Sequence, residues 1–95
     1  MKVKYNARAN ADKIAIAVYT VTEWGEEQWH RYKAQLTRAC EHDIVSRIEC
    51  AKTTPEFPGI LRWRSGRHVV YFQRTDDGIE ILRILHERML PSKHL

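Results

Sequence analysis

The stretch IEILRIL, residues 79–85, decides how the rest of the chain is arranged. Its β-branched and leucine side chains are typical of a strand covered on both faces, which lies inside a sheet and not at its edge. Arg83 interrupts the apolar run, and an unpaired ion in a dry interior costs several kcal/mol. We therefore expect Arg83 either to pair with a carboxylate such as Asp12 or Glu87, or to open onto a binding groove.

The residues around this strand predict more strands. ILRWR (60–64) and RHVVYFQR (67–74) have a period of two and flank a turn at Ser65 and Gly66, and TDDG (75–78) leads into IEILRIL. This pattern predicts three consecutive antiparallel strands. KVKYN (2–6) alternates in the same way and predicts a short first strand.

Two segments between the first strand and the hairpin have helical spacing. The first is expected to begin at an Asn6 or Asn10 cap and to end at Gly25, and the second begins with GEEQ (25–28). The apolar positions predicted to form the seam of the first helix are Ala11, Ile14, Ala15, Val18, Val21 and Thr22. Those of the second are Trp29, Tyr32, Leu36, Cys40, Ile44 and Ile48. The short connection predicts an antiparallel helical hairpin.

These elements predict an α+β fold. We expect one small domain over residues 1–95, with the helical hairpin packed on a four-stranded, mainly antiparallel sheet in the order β-α-α-β-β-β. TTPEFPG, residues 53–59, has two prolines and a glycine and is assigned to a loop.

Composition limits the possible functions. A chain of 95 residues is too small for a core plus a deep active site, so function should lie on a surface or in a shallow cleft. The first residues, MKVKYNARANADK, contain no apolar run, so we expect no secretory signal, no membrane association and a cytoplasmic location. The formal net charge is +4, and no acidic residue interrupts residues 57–75. This local excess of arginine favours an anionic partner.

The sequence shows no catalytic or metal-binding motif. It lacks GxSxG, GxGxxG, GxxxxGK[ST] and HExxH, and its five histidines and two cysteines have no zinc spacing. We expect no metal and no cofactor. The remaining candidates are arginines: Arg62 and Arg64 should share one strand face, and Arg67 follows the turn. Their guanidinium groups suit phosphate or carboxylate, although arginines on an exposed face also serve solubility alone. The tryptophans Trp24, Trp29 and Trp63 are expected to pack in the core or the helix seam.

Three segments resemble ParE toxins of bacterial toxin–antitoxin modules, within the RelE/ParE superfamily. They are ANADKIAIAVYTVTEWGEEQ (9–28), SGRHVVYF (65–72) and RILHERM (83–89). The resemblance implies a toxin that blocks growth by inhibiting DNA gyrase, contacts DNA indirectly through gyrase, and is held harmless by a ParD-like antitoxin. It implies no enzymatic activity of the toxin itself. The residues expected to bind the antitoxin or the target are Arg62, Arg64, Arg67, Arg83, His86 and Arg88.

RelE-like members of the superfamily suggest an alternative. They cleave messenger RNA on the ribosome with basic residues on the sheet and an assisting C-terminal side chain. In this chain the catalytic residues of such a nuclease would be Arg62, Arg83, His86 and Arg88. The tail MLPSKHL (89–95) lacks the tyrosine that many of those nucleases use, which favours the gyrase inhibitor.

Overall fold

The computed structural model describes all 95 residues and arranges the helices against a five-stranded sheet. The strands and α-helices are β1 (Lys2–Tyr5), α1 (Ala7–Trp24), α2 (Glu26–Arg38), α3 (Ile44–Ser46), β2 (Lys52–Thr54), β3 (Phe57–Ser65), β4 (His68–Thr75), β5 (Gly78–His86) and α4 (Pro91–His94). A π-helical turn (Ala39–Asp43) joins α2 to α3, so these three elements continue one helical segment. The predicted α+β class and the predicted helical hairpin are therefore confirmed.

The strand order β1-β5-β4-β3-β2 places β5 inside the sheet, as IEILRIL predicts. β1 pairs with β5 in parallel, and every other pair is antiparallel, so the sheet is mainly antiparallel as expected. Gly78 is required where β1 meets β5, because a Cβ at this position would lie 1.8 Å from the carbonyl oxygen of Lys2.

The prediction of four strands is wrong, because the segment assigned to a loop contains the short strand β2 and the start of β3. Residues 52–54 pair with β3, and the turn between the strands includes Glu56 at φ 71°. Pro55 lies in this turn, and Pro58 lies near the start of β3, beside the register irregularity with β2 and before the paired positions of β3 and β4 begin at Leu61. Turns and irregular positions of this kind are where sheets tolerate proline. The two prolines thus marked a tight hairpin at the sheet edge.

The ends of α1 follow the sequence signals. Asn6 caps the helix, since its side-chain oxygen accepts a hydrogen bond from the backbone N–H of Ala9 at 2.8 Å. Of the two predicted caps, Asn6 is therefore the one used. Gly25 ends α1 with φ 90°, a conformation that L-residues adopt only at a cost in strain.

The predicted seam of α1 is wrong. The helix buries Ala9, Ile16 and Thr20, whereas Ile14 and Val18, which were predicted to face the core, are 67% and 62% exposed. Apolar residues occur nearly all round this helix, so periodicity alone selected the wrong stripe. Trp24, expected in the core or the seam, is 69% exposed, whereas Trp29 and Trp63 pack against the core as predicted.

The core lies between the helices and the inner face of the sheet, which is the face that contacts them. Its buried members are Ala9, Ile16, Leu36, Cys40, Ile44, Val70, Phe72, Ile79, Ile81 and Ile84. Each side chain of this size contributes roughly 1.5–3 kcal/mol when fully buried, so the cluster is the main source of stability. No helix is both long enough and apolar enough to cross a lipid bilayer.

An ion pair between Asp12 and Arg83 joins α1 to β5. Arg83 Nε and one terminal nitrogen donate to the two carboxylate oxygens of Asp12 at 2.8 and 2.9 Å, with both side chains no more than 15% exposed. Hydrogen bonding to Asp12 raises the pKa of Arg83. The structure therefore shows the pairing alternative for Arg83, with Asp12 and not Glu87 as the partner.

The same carboxylate completes the edge of β5. β1 pairs with β5 only as far as Ile81, and beyond it the backbone N–H of Ile84 donates to Asp12 at 2.9 Å. Arg83 also donates to the carbonyl oxygen of His94 at 2.7 Å, and Arg8 donates to the same oxygen at 2.6 Å. The C-terminal residues are thus fixed to α1 and β5 by two guanidinium groups.

We expect Asp12→Ala to lower the free energy of unfolding by roughly 3 kcal/mol, because it leaves a buried guanidinium and a backbone N–H without their acceptor. Urea denaturation followed by circular dichroism measures the change. Glu27→Ala is the matched control: it removes an exposed partner of Arg31 and should change stability by less than about 0.5 kcal/mol. Equal effects of the two substitutions would contradict a structural role for the Asp12–Arg83 pair.

Candidate functional site

A groove of about 840 Å³ opens between α1, the β3–β4 turn and the end of β5. α1 supplies one wall, and the wall opposite comes from the turn, from β5 and from the residues that follow it. The residues that line it and that matter for its chemistry are Ile16, Tyr19, Trp24, Tyr32, Arg67, His68, Ile84, His86, Arg88 and Met89. This groove is the largest concave surface of the protein and its candidate binding site.

The α1 wall is apolar and exposed. Tyr19 and Trp24 lie at the groove with most of their surface in solvent, and Ile14 and Val18 continue the apolar surface away from the sheet. Large exposed aromatic side chains are typical of recognition surfaces, where they bury much area at low entropic cost. The helix therefore presents an apolar face that the chain itself does not cover.

The opposite wall is basic, and three of the six predicted site residues meet there: Arg67, His86 and Arg88 line the groove. Arg64 lies beside it and forms an ion pair with Glu87, whose other carboxylate oxygen is 3.7 Å from Arg67. Both arginine side chains stay largely exposed. One carboxylate thus faces two arginines, and the local charge remains positive.

The other two predicted residues are placed elsewhere. Arg83 is held by Asp12 beneath the groove and offers no free charge to it. Arg62 lies on the outer face of the sheet, the face turned away from the helices, because its neighbours Leu61 and Trp63 pack against the core on the inner face. The residues named for the nuclease alternative are therefore divided between two faces of the sheet.

A cluster of Tyr32, His68 and His86 closes the end of the groove. The Tyr32 hydroxyl is hydrogen-bonded to His68 Nδ1 at 2.5 Å, donates to the backbone carbonyl of Ser65 at 3.4 Å and accepts from the backbone N–H of Arg67 at 3.2 Å. The His68 and His86 rings meet edge to face with centroids 5.6 Å apart. Burial, and after it the neighbouring His86, lowers the pKa of His68 to about 4, and burial raises the pKa of Tyr32.

This cluster fixes the β3–β4 turn to α2. Gly66 at φ 59° is needed in the turn, since a Cβ there would lie 2.9 Å from the Tyr32 ring and hydroxyl. Near neutral pH His68 is uncharged, and its hydrogen bond to Tyr32, together with the bonds of Tyr32 to the backbone of Ser65 and Arg67, holds the turn in place. No group of three or more His, Cys, Asp or Glu side chains converges on a possible metal position.

Sequence reasoning missed the groove itself. Tyr19 and Met89 line it but were not singled out, Tyr32 was predicted only as a seam position of the second helix, and Trp24 was assigned to the core or the helix seam. The one available signal was the excess of apolar residues on α1, which exceeds what a single core-facing stripe needs.

Comparison with known proteins gives a consistent result over nearly the whole chain. A family profile described as "ParE toxin of type II toxin-antitoxin system, parDE" matches residues 3–91. "Toxin ParE1" of Caulobacter vibrioides is 32% identical over 93 residues, covering 97% of this chain and 95% of that protein. "Toxin ParE" of Escherichia coli is 32% identical over 84 residues, covering 87% of this chain and 82% of that protein.

One solved structure shows the same fold. It is titled "Chromosomal ParDE TA system from P. aeruginosa" and aligns with a TM-score of 0.76 at 22% identity, covering 90% of this chain and 95% of that chain. At this identity the likeness concerns the arrangement of helices and strands alone.

The lowered pKa of His68 predicts how stability depends on pH. Between pH 6.5, the value for free histidine, and about pH 4 the unfolded chain binds a proton that native His68 does not, so the unfolding free energy should fall as pH falls. Above pH 6.5 this contribution is complete. His68→Gln should flatten the dependence, as measured by urea denaturation across this range, whereas His30→Gln on the exposed side of α2 should retain the wild-type slope. A wild-type slope in His68→Gln would contradict the assignment.

Proposed function

The chain belongs to the ParE toxin family of type II toxin–antitoxin systems, and from this premise we propose that it inhibits DNA gyrase and is neutralised by a ParD-like antitoxin. The observation that carries the proposal is the family match over residues 3–91. Inhibition of gyrase would stall replication and block growth. Both proposed partners act in the cytoplasm, where the toxin is expected as well.

The geometry of the site supports a protein that works by binding and not by bond cleavage. His68 is uncharged near neutral pH because burial lowers its pKa to about 4, and its Nδ1 is engaged in a hydrogen bond with Tyr32. The residues of the nuclease alternative do not converge: His86 and Arg88 line the groove, whereas Arg62 lies on the outer face. General acid–base catalysis requires its groups within hydrogen-bond reach of one substrate.

The groove also has the features that an antitoxin segment would need. The exposed side chains of Ile14, Val18 and Trp24 suit the apolar face of an amphipathic helix, and Arg67 and Arg88 suit its acidic residues. An antitoxin segment that folds on binding gains the apolar area needed to offset its loss of chain entropy. We therefore place the antitoxin in the groove and along the exposed face of α1.

Purified toxin is expected to convert supercoiled plasmid into linear DNA in the presence of gyrase and ATP, because a trapped cleavage complex releases broken DNA when gyrase is denatured. Agarose gel electrophoresis across a toxin titration measures the linear product. Toxin premixed with its antitoxin is the control and should leave the plasmid supercoiled. Unchanged plasmid at every toxin concentration would contradict gyrase inhibition, and cleavage of ribosome-bound message in a parallel assay would favour the nuclease.

Charge reversal of Arg64 and Arg67 together is expected to slow antitoxin association by about tenfold at low salt, because these exposed charges steer an acidic partner. Stopped-flow fluorescence measures the rate, and the difference should shrink as added salt screens the charges. Reversal of Arg31 and Lys33 on α2 changes the net charge equally and serves as the control. An unaltered association rate for the Arg64, Arg67 variant would contradict this role.

A further inference from the structure

Two positive charges lie side by side on the outer face of the sheet. Lys52 of β2 is the register partner of Arg62 of β3, and Arg62 is in turn the partner of Tyr71 of β4. Residues directly opposite each other on neighbouring strands project to the same face with their Cβ atoms about 5 Å apart. Arg64 follows two residues after Arg62 and adds a third charge to the same face. We call Lys52, Arg62 and Arg64 the outer-face patch.

The protein does not compensate these charges itself. Neither Lys52 nor Arg62 forms an ion pair with any carboxylate, and Arg64 shares Glu87 with Arg67. Like charges directly opposite each other in a sheet are destabilising. Arg62 Nε is buried without an acceptor and is out of reach of an outside partner, whereas the terminal nitrogens of Arg62 have no partner within the chain. Lys52 and these terminal nitrogens are therefore the positive groups available to an anion from outside the chain.

The surroundings of the patch indicate which anion it suits. None of the large exposed apolar side chains lies on β2, β3, β4 or β5: five are on α1, and the others are Met1 and Leu90. A peptide partner needs apolar anchors in pockets, which the groove provides and the patch does not. A phosphodiester backbone needs only clustered charge and guanidinium donors, and its affinity comes from release of counterions.

We propose that the outer-face patch binds the phosphodiester backbone of a nucleic acid strand without reading its bases. No exposed aromatic side chain stands beside these charges to stack on a base, so recognition rests on phosphates alone. The site lies on the opposite face of the sheet from the core: Lys52 and Arg62 are separate from the groove, and Arg64, through its ion pair with Glu87, is the member of the patch nearest to it. The proposal goes beyond gyrase inhibition, because it requires neither gyrase nor an antitoxin, and it gives the toxin a direct contact with DNA.

Fluorescence anisotropy with a labelled 20-nucleotide single-stranded DNA, and with RNA of the same sequence, tests the proposal on the free toxin. The Lys52→Gln, Arg62→Gln double variant should lose roughly tenfold or more in affinity and about 1.4 units of the slope of log K against log salt, since each phosphate contact on a single strand contributes about 0.7. The matched control is Arg31→Gln, Lys33→Gln on α2, which lowers the net charge from +4 by the same amount. The control should bind like the wild type, and DNA and RNA should bind within about threefold of each other, since both offer the same phosphates.

Several outcomes would overturn the proposal. The first two are absence of binding to either strand and an equal loss of affinity in the two double variants. The others are an affinity for DNA or for RNA that exceeds the other by more than about tenfold, and displacement of the labelled strand by polyglutamate at the same charge concentration. Lys52→Gln alone is the control for misfolding. This residue is exposed on an edge strand, so its substitution should lower the salt slope by about 0.7 and leave the circular dichroism spectrum unchanged. The anisotropy measurement contains no gyrase and is therefore independent of the plasmid assay. A toxin that linearises plasmid with gyrase but does not bind the free strand would overturn this inference and leave the proposed function standing.

Discussion

The Asp12–Arg83 pair is the interaction on which the arrangement of the structure depends. β1 pairs with β5 only as far as Ile81. Beyond that point Asp12 of α1 accepts hydrogen bonds from the Arg83 side chain and from the backbone N–H of Ile84. A buried pair of this kind contributes little net stability compared with apolar packing, yet it is costly to break. It therefore sets the position of α1 on the sheet, and with it the width of the groove.

The Asp12–Arg83 pair also determines which of the arginine charges are available to a binding partner. Arg83 is the most buried of the predicted site arginines, and its charge is used inside the fold, so the positive surface comes from other residues. His86, Arg67 and Arg88 point to the groove, and Arg62 belongs to the outer face. The sheet thus lies between two surfaces. The groove is apolar and basic and suits a segment that folds on binding, whereas the outer-face patch is basic only. One small domain can in this way offer two chemically different surfaces without a deep pocket.

The sequence by itself determined β1, the helical hairpin and the three strands β3, β4 and β5, in their order along the chain. Local signals act over a few residues, which is why the Asn6 cap, the Gly25 helix end and the Ser65–Gly66 hairpin were found at the right places. The interior position of β5 also followed, because only a strand covered on both faces tolerates a continuous apolar run. For Arg83 the sequence left two outcomes open, pairing with a carboxylate such as Asp12 or Glu87 or exposure to a binding groove, because a buried charge must be compensated in any fold.

Only the tertiary structure decided which surfaces face solvent. α1 is apolar nearly all round, so its periodicity supports two opposite stripes, and packing against the sheet selected Ile16 over Ile14. β2 was missed because a three-residue strand has no period of its own and forms only when β3 is beside it. The division of the arginines between groove and outer face depends on strand register and on one ion pair. Contacts between residues 71 positions apart, as in Asp12 and Arg83, leave no pattern in a single sequence.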